Sequence, residues 1–269
     1  MKKLSLIIFL IISTELVAQP TEERIQQFII SNTVSAFLHE AGHMLMWEYD
    51  LPVLGREEDA ADSFQNWYMI VTRDYFSDDA SYNYYADFFH PMLEDTADYY
   101  YFSEKLGYDK EVPPWDWHSP NEVRYFQALC IMADGNPELF ENYLEKRGIK
   151  KSSMKQCEAS YYYVDYAWKK VMSEYYYTGE NDKYNGKFII KYEPTNQFKY
   201  YKNLIENSSI LEYDLLTNPF YFQLINDIPV IFKECGYINA EYLPNEKQIT
   251  ICYEYLEFVE HLIVEGSKK

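Results

Sequence analysis

Two histidines four residues apart, with a glutamate directly after the first, limit what the segment LHEAGHML (residues 38–45) can form. At about 100° per residue, positions 39 and 43 of a helix lie one above the other, so both imidazoles can reach one metal ion. Glu40 then stands beside that ion without binding it. The segment therefore predicts a helix that carries two ligands of a metal site, His39 and His43.

This spacing is the His-Glu-x-x-His motif of zinc hydrolases, in which the glutamate handles the proton of a water molecule. Catalytic zinc takes a third protein ligand and leaves one position open; in one arrangement this ligand is a glutamate from the following helix. Glu58 in GREEDAADSF meets this requirement, and Glu57 is the alternative. Asp62 is predicted to accept the outer ring N–H of His39 and fix its tautomer. The alternative is that the acids of GREEDAADSF bind no metal and only stabilise the start of a helix through its dipole.

The histidine helix is predicted to extend over about residues 21–49. Its apolar residues recur at i, i+4, i+7 and i+11, as Val34, Leu38, Ala41 and Leu45. Gly42 lies inside this helix, where glycine costs about 1 kcal/mol relative to alanine. We therefore expect another element to pack closely at Gly42.

A loop rich in proline and tryptophan, DKEVPPWDWHSP (residues 109–120), carries His118. Zinc peptidases place a second donor, usually histidine or tyrosine, where negative charge develops on the substrate oxygen. We predict this role for His118, with Arg124 on the next helix orienting its loop. A loop histidine that contacts no substrate is the alternative.

The remaining pattern predicts an α+β fold, mainly helical, with a small mixed sheet whose strands come largely from the C-terminal part. A second helix begins within GREEDAADSF, and breaks are expected near residues 74–79 and at Pro91. Further helices are predicted at residues 121–133, 137–147 and 152–177, at one or two places within 197–226, and through EFVEHLIV. Strands are predicted at residues 187–193 and 228–235, followed by a hairpin that turns at Pro244-Asn245-Glu246.

The N-terminal eighteen residues have the order of a cleavable signal peptide. Lys2 and Lys3 precede an apolar run over residues 4–12, which is too short to span a membrane, and the segment ends in Leu16-Val17-Ala18. An uncleaved membrane anchor is the alternative, since leucine is a poor match three residues before the cut. Residues 19–269 are predicted to be one domain, with a helical metal-site part at 19–178 and a sheet-contributing part at 186–269.

Charge and cysteine content narrow the partners and the compartment. The formal net charge of −19 repels phosphate backbones and anionic lipid, so we expect neither nucleic acid as a partner nor stable membrane insertion after signal cleavage. Four cysteines in an exported chain allow two disulfides, and we favour pairing neighbours along the chain. The predicted pairs are Cys130 with Cys157 and Cys235 with Cys252.

Three blocks of the sequence resemble the signature of a bacterial family of metallopeptidases of unknown function. They are FLHEAGHMLMWEYDLPVLGREEDAADSF, WDWHSPNEVRYFQALC and KECGYINAEYLPNEKQITICYE. The resemblance implies a zincin fold of the gluzincin type, with Zn²⁺ bound by His39, His43 and an acid of the pair Glu57 and Glu58, and with Glu40 as general base. Ala41 stands where the family has leucine.

The third block is also similar to an Asn-Ala edge strand found in other zincins. In zinc peptidases a strand at the rim of the cleft pairs with extended substrate backbone, and the resemblance places Asn239 and Ala240 at that rim. Their position near the C-terminus departs from the family's order, in which this block often precedes the zinc helix. Chain termini commonly lie close together, so the fold tolerates this order. An ordinary structural hairpin is the alternative.

These features together predict an exported, periplasmic or secreted, zinc-dependent metallopeptidase that acts on a peptide or protein substrate. The alternative from another class is an exported, non-catalytic binding or scaffold protein with a structural or vestigial zinc site. The number of protein ligands discriminates the two hypotheses, because a structural zinc has four protein ligands whereas a catalytic zinc has three and keeps one position for water. A third possibility is a zinc hydrolase that cleaves an amide bond other than that of a peptide or protein substrate, such as an amide of the cell wall.

Overall fold

The computed structural model describes residues 19–77, 83–108, 112–113, 115–135, 137–175, 186–212 and 223–268. The predicted signal peptide lies outside these residues. The first element, α1 (Glu22–Glu48), begins after Thr21, whose side chain accepts a hydrogen bond from the backbone N–H of Arg24. This cap satisfies one of the free N–H groups of the first turn, and the acids Glu22 and Glu23 favour the positive end of the helix dipole.

The described chain has an α+β fold, as the sequence predicts. Its other helices are α2 (Glu57–Ser77), α3 (Asn83–Leu106), α4 (Asn121–Gly135), α5 (Pro137–Lys146), a 3₁₀ helix (Lys151–Cys157), α6 (Ser160–Val171), α7 (Lys199–Ser208) and α8 (Tyr253–Gly266). Its strands are β1 (Phe188–Tyr192), β2 (Ile228–Lys233), β3 (Ala240–Leu243) and β4 (Gln248–Cys252). All four strands lie in the C-terminal part of the chain.

The four strands form one mixed sheet in the order β1-β2-β4-β3. The pairs β1/β2 and β2/β4 are parallel, whereas β3 and β4 form the predicted antiparallel hairpin. Within the described residues β3 pairs with β4 alone, so no strand pairs with its other edge. This edge strand packs directly against α1, the helix that carries the two histidines.

Helix α1 is the centre of the molecule and contacts α2, α3, α8, β3 and β4. From Phe28 to Met46 it is buried almost all round, including polar side chains such as Asn32 and Thr33. Asn32 Nδ2 donates to the backbone oxygen of Phe28, and Thr33 Oγ1 donates to that of Ile29, so these polar groups are satisfied inside the helix.

The close approach expected at Gly42 is present. A Cβ atom at position 42 would lie 3.0 Å from the Cα atom of Ala61 on α2. Two helices can come this near only where one has no side chain, because the contact is with backbone rather than with a flexible side chain. The glycine therefore fixes the distance between α1 and α2, the two helices that carry the predicted metal ligands.

Two predictions of secondary structure are wrong. The chain does not break at Pro91, which lies inside α3. Proline removes one N–H donor but has a helical φ, and the buried residues Met92 and Leu93 that follow it stabilise the helix by packing. The helix predicted over residues 152–177 is divided into the 3₁₀ helix and α6, because Ala159 adopts a left-handed φ of 70°.

Both predicted disulfides are present, joining Cys130 to Cys157 and Cys235 to Cys252. The first ties α4 to the 3₁₀ helix, and the second ties the segment after β2 to the end of β4. Among the described residues, no helix has the length and apolar character needed to cross a membrane.

Candidate metal centre

Three donor atoms converge between α1 and α2. Glu58 Oε2 is 3.1 Å from His39 Nε2 and 3.4 Å from His43 Nε2. The two Nε2 atoms are 3.2 Å apart. In a tetrahedral zinc site with bonds of about 2.1 Å, ligand atoms lie about 3.4 Å from one another. The three side chains could therefore bind a single metal ion.

The connection between the two helices brings Glu58 to this point. Gly55 in this connection has a φ of 148°, which a residue with a Cβ atom rarely adopts. After this bend α2 begins at Glu57, so Glu57 and Glu58 both lie in its first turn beside α1. Acids are favourable there because of the helix dipole, and the same placement directs Glu58 at the histidines.

Each histidine has a carboxylate on its outer ring nitrogen. Asp62 Oδ1 lies 2.8 Å from His39 Nδ1, and Glu57 Oε1 lies 2.7 Å from His43 Nδ1. Burial disfavours a charged ring, but the contacts with Asp62 and Glu58 prevail and raise the pKa of His39 to about 10. Glu57, the alternative ligand, thus contacts the side of His43 that faces away from the other donors. Sequence reasoning did not foresee this role.

Arg124 and Tyr100 hold Asp62 in place. Arg124 donates from Nε to Oδ2 at 2.7 Å and from Nη2 to Oδ1 at 2.8 Å, and the Tyr100 hydroxyl donates to Oδ1 at 3.1 Å. Burial opposes ionisation of Asp62, yet Arg124 and His39 keep its pKa well below the usual range. Arg124 therefore acts through Asp62 on the orientation of His39.

The expected role of Arg124 in orienting the loop of His118 belongs to another arginine. Arg56 donates from Nη1 to the backbone oxygen of His118 at 3.3 Å and to Ser119 Oγ at 3.2 Å. Ser119 in turn donates to Asp59 Oδ1 at 2.8 Å. The start of α2, which carries the candidate ligand Glu58, thus also holds the loop.

His118 itself reaches the centre from the opposite side. Its Nε2 atom lies 3.0 Å from Glu58 Oε2, and 49% of its side chain is exposed. Its backbone N–H donates to Asp116 Oδ1 at 2.9 Å. Within the described chain, the cluster of donor atoms that all lie within 4.8 Å of one another contains His39, His43 and Glu58 but not His118. His39, His43 and Glu58 are therefore three candidate ligands, and His118 lies beside them as a further donor.

Glu40 is buried beside the two histidines. Burial raises the pKa of Glu40, while the neighbouring rings of His39 and His43 act in the opposite direction. The backbone N–H of Tyr242 in β3 donates to the Glu40 carboxylate. The edge strand and the glutamate of the motif are therefore in direct contact.

The residues predicted at the substrate rim lie at the start of this edge strand. The backbone oxygen of Asn239 accepts from Cys252 N at 3.0 Å and so faces β4. Tyr242 N–H faces away from β4, towards Glu40, and alternation along a strand gives Ala240 the same direction. The backbone groups of Ala240 therefore lie on the free edge, beside the metal centre.

A cavity of about 170 Å³ joins these parts. His39, Glu40, His118, Asn239 and Ala240 all line it. Sequence reasoning missed Gln65, Tyr99, Tyr100 and Tyr255, which also line it. Gln65 could have been found, since it follows Asp62 by three residues and Glu58 by seven and so lies on the same face of α2. The tyrosines come from α3 and α8, whose packing no local pattern indicates.

Of three comparisons with known proteins, one finds a match. No curated protein and no solved structure matches it. A family model described as "Putative metallopeptidase" matches residues 11–172 and 192–269, which include the histidine helix, the His118 loop and the hairpin of the rim. The resemblance noted in the sequence is thereby confirmed: the chain belongs to the family DUF4344, which is described as "Putative metallopeptidase".

Proposed function

We propose that this protein is an exported zinc-dependent peptidase of zincin-like fold, in which His39, His43 and Glu58 bind Zn²⁺. The observation that carries the proposal is the convergence of two imidazoles and one carboxylate, which are a known set of ligands for catalytic zinc. A three-ligand site leaves one position for water, whereas a structural zinc is closed by four protein ligands. The position of His118 outside the ligand cluster supports the open form.

If bound by these three residues, Zn²⁺ would lower the pKa of water towards about 7 and would polarise an amide carbonyl. Glu40 takes the proton of the attacking water and passes it to the leaving amine. Its burial supports this role, because the raised pKa of Glu40 helps the carboxyl group hold a proton between the two transfers. Asp62 and Glu57 keep the two histidine rings in the orientation that directs Nε2 inwards.

His118 donates a hydrogen bond to the oxygen on which negative charge develops. Its Nε2 atom already points at the centre, at 3.0 Å from Glu58 Oε2, and Arg56 holds the loop through the backbone oxygen of His118. A donor placed in advance needs little reorganisation during the reaction, so this arrangement lowers the barrier.

The substrate backbone pairs with the outer edge of β3 at Ala240, directly after Asn239, whose backbone oxygen faces β4. The outward direction of Ala240 and the contact of Tyr242 with Glu40 support this placement, because a strand added there passes over the centre. A peptide is the substrate that fits best, since an extended chain presents alternating backbone donors and acceptors to a strand edge.

Export is supported by two features. The N-terminal pattern is that of a signal peptide, and the two disulfides are typical of an oxidising compartment. The location is accordingly the periplasm or the medium outside the cell.

The test combines metal content with peptide cleavage for the wild type, Glu40→Gln and Glu58→Ala. We expect one zinc per chain in the wild type and in Glu40→Gln, cleavage by the wild type alone, and loss or strong weakening of zinc binding in Glu58→Ala. Normal cleavage by Glu40→Gln would show the mechanism to be wrong. Zinc with four protein ligands and no cleavage of any peptide would favour the non-catalytic binding or scaffold protein.

A further inference from the structure

The cavity at the metal centre continues one helical turn towards the N-terminus of α1. Ser35 and Ala36 line it, and they precede His39 and Glu40 by four residues each. Residues four apart on a helix are neighbours on one face, so these two positions form the wall next to the reacting groups. Both side chains are small, which leaves room beside the predicted position of the scissile bond.

The cavity is also lined by Gln65 of α2, a side chain that is only 1% exposed. Among the described residues, its Nε2 atom has no hydrogen-bond partner. A buried amide group without a partner is rare in native proteins and calls for an explanation. Here the amide lines a cavity that also contains the catalytic glutamate, so a substrate group is the partner that the geometry offers.

The surroundings of Gln65 restrict the chemistry of that partner. Asp62 and Arg124 pair with each other, so neither leaves a free charge for a ligand. A charged group buried there without a counter-ion would be strongly unfavourable, and an apolar group would leave the amide unsatisfied. At about 170 Å³ the cavity admits a small side chain only.

We propose that this cavity is the specificity pocket of the peptidase, and that Gln65 selects a small, uncharged, hydrogen-bonding side chain next to the scissile bond. Asparagine, glutamine, serine and threonine have this chemistry. The inference rests on the proposed function, because it assigns the cavity to a residue of the peptide whose backbone pairs with β3.

The experiment compares side-chain preference in three zinc-loaded proteins: wild type, Gln65→Leu and Asn66→Leu. Leucine has nearly the volume of glutamine but forms no hydrogen bond. Asn66 is the matched control, since it is the next residue of α2, is equally buried at 1% exposure and has an unpartnered Oδ1 atom within the described chain. It lines a different groove, between α2, α4 and α6.

Each protein is given a peptide library that is randomised on both sides of the cleaved bond. For the wild type and Asn66→Leu we expect a preference for the four polar residues over valine and leucine at one position. In Gln65→Leu the ratio of kcat/KM for asparagine against leucine should fall roughly tenfold or more, because a site built for a hydrogen bond discriminates by leaving it unmade. The library also separates amide from hydroxyl side chains.

Two results would overturn the inference: a wild type that cleaves without such a preference, or a preference that Gln65→Leu leaves unchanged. A second variant, Ala36→Val, narrows the same cavity and should shift the preference towards serine, glycine and alanine. If no peptide is cleaved, calorimetry on the zinc-loaded Glu40→Gln protein still tests the pocket, because it measures the binding of uncleaved peptides. Tighter binding of asparagine than of leucine peptides, lost in Glu40→Gln/Gln65→Leu, would support the pocket, and equal binding would refute it.

Discussion

Glu57 Oε1 lies 2.7 Å from Nδ1 of His43, the ring nitrogen opposite to the one that faces His39 and Glu58. The indole N–H of Trp47 donates to the same oxygen at 3.0 Å, so the carboxylate is held from α1 as well as from α2. A carboxylate in this position fixes the tautomer and orientation of the ring and increases its basicity towards a metal.

We therefore expect Glu57→Ala to weaken zinc binding about 10–100-fold without abolishing it, as loss of such a supporting carboxylate does in other zinc sites. Competition with a chromophoric chelator measures the affinity. Glu23→Ala, at an exposed acid in the first turn of α1, is the control and should bind zinc as the wild type does. If Glu57→Ala lost zinc as completely as Glu58→Ala, Glu57 would itself be a ligand.

The two adjacent glutamates show how far the sequence leads. The spacing of His39 and His43 depends only on helix geometry, so it predicts a shared face from local information. The choice between Glu57 and Glu58 depends on how α2 packs against α1, including the close approach of Gly42 to Ala61. A one-dimensional pattern contains no such packing. The sequence therefore predicts the pair of candidates but not the role of each.

The same limit explains the two arginines. Arg56 and Arg124 are both near acids in the sequence, and local reasoning predicts that Arg124 orients the His118 loop because it follows that loop closely. In the structure Arg124 binds Asp62 across a separation of 62 residues, and Arg56 binds the loop across the same separation. Contacts between distant segments depend on packing, whereas the hairpin of β3 and β4 depends on neighbouring residues and could be predicted.

The contact at Gly42 leads to a prediction for stability. Gly42→Ala adds a Cβ atom that would lie 3.0 Å from the Cα atom of Ala61. Alanine gains about 1 kcal/mol in helix propensity, but separating two packed helices costs typically 1–3 kcal/mol. We expect a lower free energy of unfolding in urea and weaker zinc binding, because the ligands lie on both helices. Gly42→Val should lower both further. A more stable Gly42→Ala would show that α2 can move away freely.

The disulfide between Cys235 and Cys252 closes a loop that contains Asn239 and Ala240. Replacing both cysteines by serine should raise KM for peptides while leaving zinc binding unchanged, because the rim loosens and the ligands on α1 and α2 do not. The loss of stability should be about 3 kcal/mol for a loop of this length.

The second disulfide provides the matched control. The pair Cys130 and Cys157 joins α4 to the 3₁₀ helix and does not line the cavity at the metal centre. Its double serine variant should lose stability to a similar extent with little change in KM. Equal increases of KM in the two double variants would mean that the effect on cleavage comes from lower stability and not from the rim.

Asp95 gives a prediction for the pH dependence of stability. Burial raises the pKa of Asp95 from 3.8 to about 6, and repulsion from Asp98 acts in the same direction. The ion pair with Arg24 lowers this pKa but does not outweigh burial. The folded state thus binds this proton more tightly than the unfolded chain. The resulting stabilisation is fully present below about pH 4 and is lost as the pH rises through about 6.

The Asp95→Asn variant has no such proton. Between pH 4 and pH 7 its free energy of unfolding should increase relative to that of the wild type by on the order of 2 kcal/mol. Urea unfolding at several pH values measures the difference. The opposite trend, in which the free energy of unfolding of the variant falls relative to that of the wild type as the pH rises, would show that Arg24 keeps Asp95 ionised in the folded state.

His118 lies on an exposed loop, yet its Nε2 atom is 3.0 Å from Glu58 Oε2, so its role can be separated from that of the ligands. We expect His118→Ala to lower kcat by roughly 10²–10³, the usual effect of removing a donor to a developing oxyanion, with zinc content and KM nearly unchanged. His261→Ala is the control, because His261 contacts Tyr108 at 2.7 Å and does not line the cavity at the metal centre. An unchanged kcat would make His118 an ordinary loop histidine. Loss of zinc would make it a fourth ligand, and a site closed by four ligands fits a structural role better than a catalytic one.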